Sequence, residues 1–590
     1  MIRLSRLLKP AQLFCAGLAL AAPGAAQSSS PFAVFSERAS VNSVEMQGNA
    51  PSRGGDITAD GRYVVFDSTS NNLDAWDTSP QSDVFVRDYA LGETKRISLA
   101  AGTEPNGESR RPSISADGRY VVFESKADNL VSGDTNGAWD VFLWERQTNG
   151  LRRLSVRTDG TQANGDCLNA RISANGSTVV YESRATNLAD QDTSPALDIY
   201  VHVLASGETR IASLTHQGVL ADRECRNPAI SADGTRVAWD TDATNMVFWD
   251  TNGHSDVYVR ELATDLLWRA SLGSVWTEGD GPSRKPTLSP DGRKVAFESA
   301  AATLVPGDTN YQTDIFVRDL QLQVTQRISV STAGAEGQLP STEACWSSDG
   351  RWVSFLSEAW NFVAGDVNNF TDVFVRDMAL ERTVRVSRGR HMTETSNHAR
   401  AQRISGSGRW VVYETDAFNI VPGDTNSCAD VFRVDWMADL GLETATYCEG
   451  KLNSAGCVPQ MGWTGTASLS AGSGFVIEGH NWRNQKLGRF IYSVSGPDAR
   501  PFFGGTLCVK STIYRGPTVS SGGNAGGNDC SGVLRLDFNR FLAGQLWPQP
   551  APALLHPGTT VYAQWYGRDN GLPLPNNINL SDGLRFVIQP

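Results

Sequence analysis

Seven pairs of aspartates, each six positions apart, recur along the chain: Asp77/Asp83, Asp134/Asp140, Asp192/Asp198, Asp250/Asp256, Asp308/Asp314, Asp366/Asp372 and Asp424/Asp430. Asn136, Asn252, Asn310, Asn368 and Asn426 follow the first aspartate by two positions in five pairs, with Ser79 and Ser194 in the others. Short oxygen-bearing side chains at this density fold back onto backbone N–H groups and brace a turn, which is the leading reading. The sharper alternative is a hard cation, calcium, although the spacing does not match an EF-hand loop. The calcium candidates are Asp134, Asn136, Asp140, Asp308, Asn310, Asp314, Asp366, Asn368, Asp372, Asp424, Asn426 and Asp430. No other cofactor is expected.

A second acidic column, Asp67, Glu124, Glu182, Asp240, Glu298 and Glu414, follows an aromatic or apolar run at the same period, with Leu356 in the remaining copy. Arg87, Arg260, Arg318 and Arg376 form a basic column, and pairing of the two across neighbouring strands is expected. None of the seven histidines forms a His-Glu-x-x-His zinc pattern, and Gly472-Ser473-Gly474 is too short for a Gly-x-Ser-x-Gly elbow. No catalytic residue is assigned. An enzyme reading would take acids from the Asp134 and Asp308 loops to activate water or organise a cation, with an arginine on a polysaccharide carboxylate. In the last fifth of the chain, Trp463, Trp482, Trp547, Trp565 and Tyr566 are candidate stacking surfaces for a glycan, with core packing as the plainer role.

The columns exist because a segment of 57 or 58 residues occurs seven times, marked by Gly61, Gly118, Gly176, Gly234, Gly292, Gly350 and Gly408. Each copy carries four strand patterns and cannot bury its apolar face alone. In the second copy Pro112-Ser113-Ile114-Ser115 precedes an Asp117-Gly118 turn, and Tyr120-Val121-Val122-Phe123 returns through β-favouring residues. Four strands at this period predict a propeller blade. The seventh copy lacks its fourth strand, while Glu37-Arg38-Ala39-Ser40-Val41 matches Gln326-Arg327-Ile328-Ser329-Val330, so the N-terminus is expected to close the ring. The fold class is therefore all-β, a seven-bladed propeller over residues 35–445 followed by a disulfide-containing β-sandwich over 446–590.

The motifs Ser115-Ala116-Asp117-Gly118-Arg119 and Ser289-Pro290-Asp291-Gly292-Arg293 resemble the WD40-like repeats of TolB-family propellers. The resemblance implies the fold and a periplasmic or extracellular interaction platform, although similar propellers accompany peptidases and polysaccharide lyases. The repeats here are longer, and no separate N-terminal domain is evident, which argues against a role in the TolB-Pal envelope system. Tyr447-Cys448, Gly456-Cys457 and Leu580-Ser581-Asp582-Gly583-Leu584-Arg585-Phe586 resemble C-terminal regions of secreted bacterial proteins and imply no particular activity.

Residues 1–26 read as a secretory signal: Arg3, Arg6 and Lys9, an apolar stretch to Leu20, then small residues ending near Ala26. The stretch is too short for a transmembrane segment, and none is expected in the mature chain. Three of the 52 basic residues precede the cut, leaving 49 basic against 64 acidic residues and a formal charge of −15. No basic run offers a local exception, so nucleic acid is not an expected partner. Eight cysteines remain after cleavage, four of them (Cys448, Cys457, Cys508 and Cys530) in the last domain, where two disulfides are expected. Cys167 with Cys225, or Cys345 with Cys428, would be pairs between neighbouring repeats, against free buried thiols. The functional reading is a secreted or periplasmic, noncatalytic recognition or scaffold protein that binds a protein or cell-surface glycan. The alternatives are an extracellular polysaccharide hydrolase or lyase, or a purely structural extracellular protein.

Overall fold

The computed structural model describes residues 36–99, 103–389, 393–439, 445–447, 451–503, 505–525 and 529–588. The signal segment and Cys448 lie outside them. The chain divides into two units, Phe35–Thr444 and Ala445–Pro590.

The first unit is a ring of seven four-stranded antiparallel blades. Blade two shows the plan, with an inner strand Ser109–Ile114, then Tyr120–Ser125, Asp140–Glu145 and an outer strand Gly150–Arg153. In blade seven the strands Ala399–Ile404, Trp410–Thr415 and Asp430–Asp435 are completed by Ser36–Arg38 from the other end of the chain, with Ser36 opposite Val434 and Arg38 opposite Phe432. This closure pairs the last sheet edge and ties distant chain segments together.

The tight turn between the first two strands of a blade is built by its own residues. Ser115 Oγ donates to Asp117 Oδ1 at 2.7 Å, and the N–H groups of Arg119 and Tyr120 donate back at 2.9 and 3.0 Å. Gly118 sits at φ 68°, and a Cβ there would lie 2.7 Å from the Tyr63 ring of the preceding blade. At the closure, a Cβ on Gly61 would stand 2.1 Å from Trp410. Gly118 and Gly61 are thus required both by the turn and by the neighbouring blade, whereas Gly350, where a Cβ would lie 3.4 Å from Pro290, is required by its turn alone.

Aromatic residues from the middle strands stack within each blade, as Phe66 with Phe85 and Phe123 with Phe142. The apolar clusters run from blade to blade: Tyr63, Val65 and Val84 join Val121 and Phe123, and Ile57, Val64 and Phe66 join Val412 and Val431 across the closure. Each fully buried Phe or Val contributes about 1.5–3 kcal/mol, and that burial exists only between blades.

In the second unit, a five-stranded sheet (Ala445–Tyr447, Ile578–Val587, Thr560–Arg568, Leu487–Ser493 and Tyr514–Ser520) and a three-stranded sheet (Gln460–Thr464, Val476–Trp482 and Gly532–Asp537) share a core that includes Trp482, Phe490, Trp565 and Phe586. Cys457 is bonded to Cys530. Cys508 is also disulfide-bonded, to a partner outside the described residues. Cys167, Cys225, Cys345 and Cys428 are free, and neither inter-repeat pairing forms. Buried Cys167 takes the place of a serine, its Sγ 3.2 Å from Ser183 Oγ where Ser109 meets Ser125 in blade two.

Candidate functional site

The first aspartate of each pair sits in the loop between the second and third strands and the second opens the third strand, and the asparagine braces the loop between them. Asn136 Nδ2 donates to Asp140 Oδ2 at 3.0 Å and to the Ala163 carbonyl at 2.9 Å, while its Oδ1 accepts the Ala138 N–H. Asn310, Asn368 and Asn426 donate in the same way to Asp314, Asp372 and Asp430. Between the two carboxylates stands a guanidinium from the outer strand. Arg153 lies 3.0 Å from Asp134 and 3.5 Å from Asp140, and Arg327 lies 3.0 and 3.2 Å from Asp308 and Asp314. Arg385 meets Asp366 and Asp372 at 3.0 and 3.5 Å, and Arg38 meets Asp424 and Asp430 at 3.1 and 3.3 Å.

The sequence reading missed this arginine column, although Arg38 and Arg327 stand in the two segments whose match predicted the closure. Blade three lacks it: Ile211 takes the position, and the Tyr200 hydroxyl donates to Asp192 instead. Two triplets, Asp77/Asp83/Glu104 and Asp366/Asp372/Glu394, bring one carboxylate oxygen each within 4.8 Å of the others, close enough to hold a divalent cation such as calcium. Arg96 and Arg385 respectively reach all three acids of these triplets, so a metal ion would compete with a built-in cation.

The second acidic column does not pair with the Arg87 column. Residues alternate faces along a strand, and Asp67 lies opposite Val84 while Arg87 lies opposite Val64. The acids reach the next blade instead. Asp67 accepts the Arg111 N–H at 3.0 Å, Glu124 that of Asn169 at 2.9 Å, Asp240 that of Lys285 at 2.9 Å, Glu298 that of Glu343 at 3.2 Å, and Glu414 closes the ring onto Gly54 at 3.1 Å. The Arg318 column turns to the outer edge, where Arg318 bonds Thr325 Oγ1 and the Leu272 and Gly273 carbonyls. Between blades six and seven Leu356 offers no acceptor, and Gln402 spans the seam to Ser354 and the Glu343 carbonyl. Burial pushes the Asp67 and Asp240 carboxyls up to about 7, against the hydrogen bonds they accept.

The N–H donors are bulge residues. Every inner strand shifts register at this point, and Gly54, Arg111, Asn169, Asn227, Lys285, Glu343 and Ala401 all take φ between 47 and 56°. Left-handed backbone is unfavourable for residues with a Cβ, and it persists here because the bulge holds it, joined by a carboxylate of the preceding blade at every seam except the one onto Ala401. The bulge turns a second line of side chains into the axis of the ring.

That axis is a pore of about 700 Å³. Arg53, Arg110, Arg111, Arg171, Lys285 and Arg403 line it against Asp56, Asp67 and Glu343. A collar of Ile57, Ile114, Ile172, Ile230, Ile404 and Trp346 follows toward the tight-turn face. The sequence contains no basic run, yet cations from five blades converge here within an acidic chain. Folding, and not local composition, creates the basic patch. Glu343 faces Lys285 at 3.5 Å. Arg171 is enclosed by the pore wall, and burial together with the nearby Arg403 charge lowers its pKa to about 10.

The expectation of a noncatalytic protein is corrected on two findings. A deep pore with convergent titratable groups takes the place of a flat binding platform, and two acidic triplets have the geometry of divalent-cation sites. The acids of the Asp134 and Asp308 loops do not line the pore; its charged groups come from the inner strands. In the sandwich, Trp482 and Trp565 are fully buried and offer no face to a glycan. Tyr566 packs beside Ile491, Leu507 and Val509, whereas Trp463 and Trp547 are 38% and 81% exposed.

No family model matches the chain, and no curated protein does. Solved structures similar to it include TolB from Acinetobacter baumannii, at 16% identity and TM-score 0.29 over 48% of this chain; the match spans 55% of that protein's length. A putative TolB from Agrobacterium tumefaciens matches at 16% identity and TM-score 0.32, over 50% of this chain and 83% of that one. An oligogalacturonate lyase in complex with manganese matches at 12% identity and TM-score 0.39, over 64% and 87%. The likeness is distant. Among the described residues, no helix is long and apolar enough to cross a membrane.

Proposed function

We propose that this chain is an exported enzyme, secreted or periplasmic, that cleaves a carboxylate-bearing extracellular glycan in its pore. The observation that carries the reading is the concentration of six cationic side chains on the axis of a protein whose formal charge is −12. Such a pore concentrates an anionic chain.

The balance of groups favours elimination over hydrolysis. A glycosidase needs two free carboxyl groups flanking the bond. Here Asp67 is held by Arg111 and Asp56 by three donors, Ile57 N–H, Ser113 Oγ and Ile114 N–H at 2.9 to 3.0 Å. Glu343 remains, beside Lys285. In a lyase, the cations neutralise the uronate carboxylate and so acidify C5; one carboxylate takes that proton, the electron pair forms the C4=C5 double bond as the C4–O glycosidic bond breaks, and the departing oxygen takes a proton from solvent. Glu343 is assigned the role of that carboxylate. Incubation with oligouronates is expected to release products with the ultraviolet absorbance of an unsaturated uronate. Glu343→Gln, which keeps shape and removes the base, should lower that rate by about 10²–10⁴-fold with unchanged thermal stability. A variant as active as the parent would remove Glu343 from the reaction, and the absence of any product from uronate glycans would remove the enzyme assignment.

A further inference from the structure

The fifth residue of each inner strand forms one ring inside the pore, below the bulge residues and above the apolar collar. Asp56, Arg171, Cys345 and Arg403 belong to it, from blades one, three, six and seven. Asp56 spends its oxygens on the wall, accepting from Ile57, Ser113 and Ile114. Neither guanidinium has an ion-pair partner among the described residues; Arg403 donates to the carbonyl of Gln402 at 2.8 Å. Both lie close enough to Cys345 for their charges to act on its thiol. The two guanidiniums share this narrow ring with the Asp56 carboxylate, whose oxygens are already hydrogen-bonded to the wall, and their own charges act unfavourably on one another, so an anion that joins them relieves that repulsion.

We propose that Arg171 and Arg403 form an oxyanion subsite within the pore that takes one carboxylate of the bound sugar chain, a role that rests on the uronate reading above. The planar fork of a guanidinium matches a carboxylate through paired hydrogen bonds, and two forks from blades three and seven can hold one carboxylate from both sides. The cations nearer the loop face, Arg53, Arg110, Arg111 and Lys285, would then draw the chain in, and the ring would fix which residue of it sits beside Glu343. Phosphate and sulfate also present paired oxygens to a guanidinium fork, so the protection experiment below separates carboxylate from phosphate.

Two measurements on the intact protein test this. Calorimetric titration with a monouronate should show binding that Arg171→Met and Arg403→Met each weaken about tenfold or more, while the corresponding neutral sugar does not bind. Because a pore variant can unfold, the second measurement uses the parent protein. Alkylation of Cys345, followed by mass spectrometry, should run faster with iodoacetate relative to iodoacetamide than at an unstructured thiol, and monouronate or acetate should protect it. No protection and no reagent preference would overturn the subsite, and stronger protection by phosphate would overturn the carboxylate assignment. Protection by acetate without any binding of oligouronates would uphold the subsite and refute the proposed function. Cleavage of oligouronates with Cys345 unprotected and both arginine variants binding normally would do the reverse.

Discussion

Arg385→Met is expected to cost about 3–5 kcal/mol of stability, the size of effect seen when one partner of a buried ion pair is removed. The guanidinium stands between Asp366 at 3.0 Å, Asp372 at 3.5 Å and Glu394 at 2.6 Å, with its side chain 5% exposed. Its removal leaves three acids that repel one another, one of them, Asp366, already pushed up to about 6 by burial and by Asp372. The same removal frees oxygens that lie close enough to hold a cation. Calcium should therefore raise the thermal midpoint of Arg385→Met and leave the parent nearly unchanged, since the parent carries its cation covalently. Calcium stabilisation of the parent equal to that of the variant would show that the guanidinium does not stand in for a metal ion.

The second large effect is on the pH dependence of folding. Asp67 and Asp240 titrate near 7 in the folded protein because burial penalises their charge, against about 3.9 for an unfolded aspartate. The folded state then holds more protons between roughly pH 4 and 7, so stability falls as pH rises through that window. Each residue contributes about 4 kcal/mol to the fall, complete once both states are ionised. Asn at either position keeps an oxygen for the N–H of Arg111 or Lys285 and removes the charge. The double variant Asp67→Asn/Asp240→Asn should be more stable than the parent at pH 8, less so at pH 4, and its urea midpoint should vary less with pH. An unchanged pH profile would mean that the carboxylates are solvated and the seams between blades open.

The propeller was legible in the sequence because a repeat shows the same physics seven times. Gly118 at its turn, Phe123 in its core and Asp140 in its loop are each confirmed by counterparts at one spacing. The closing strand was legible for the same reason, through Arg38 and Ser40 against Arg327 and Ser329. What repeats most strictly is architecture. The aspartate loops read as braced turns or, alternatively, a calcium site, and the structure adds an outer-strand arginine between the two carboxylates, as Arg153 and Arg327 show. The partner of the second acidic column could not be read from one repeat, because Asp67 bonds a backbone N–H in the following blade, and a backbone group leaves no mark in composition.

The pore groups were hidden for the opposite reason. The ring position occupied by Asp56 holds Ser113, Arg171, Ala229, Thr287, Cys345 and Arg403 in the other blades, so the column looks like noise beside the conserved-looking turns. Only closure of the ring shows that all of these but Ser113 line one space. In the sandwich, Trp482 and Trp565 carry no periodic signal that separates a core tryptophan from a stacking one, and both lie at the centre of the core.

Calorimetric titration of the intact protein with one oligouronate in its free-acid and fully methyl-esterified forms, at two salt concentrations, tests the cationic pore most directly. The account predicts binding of the free acid that weakens as salt rises and no binding of the ester. Equal binding of both forms, or affinity for the acid that does not respond to salt, would contradict it.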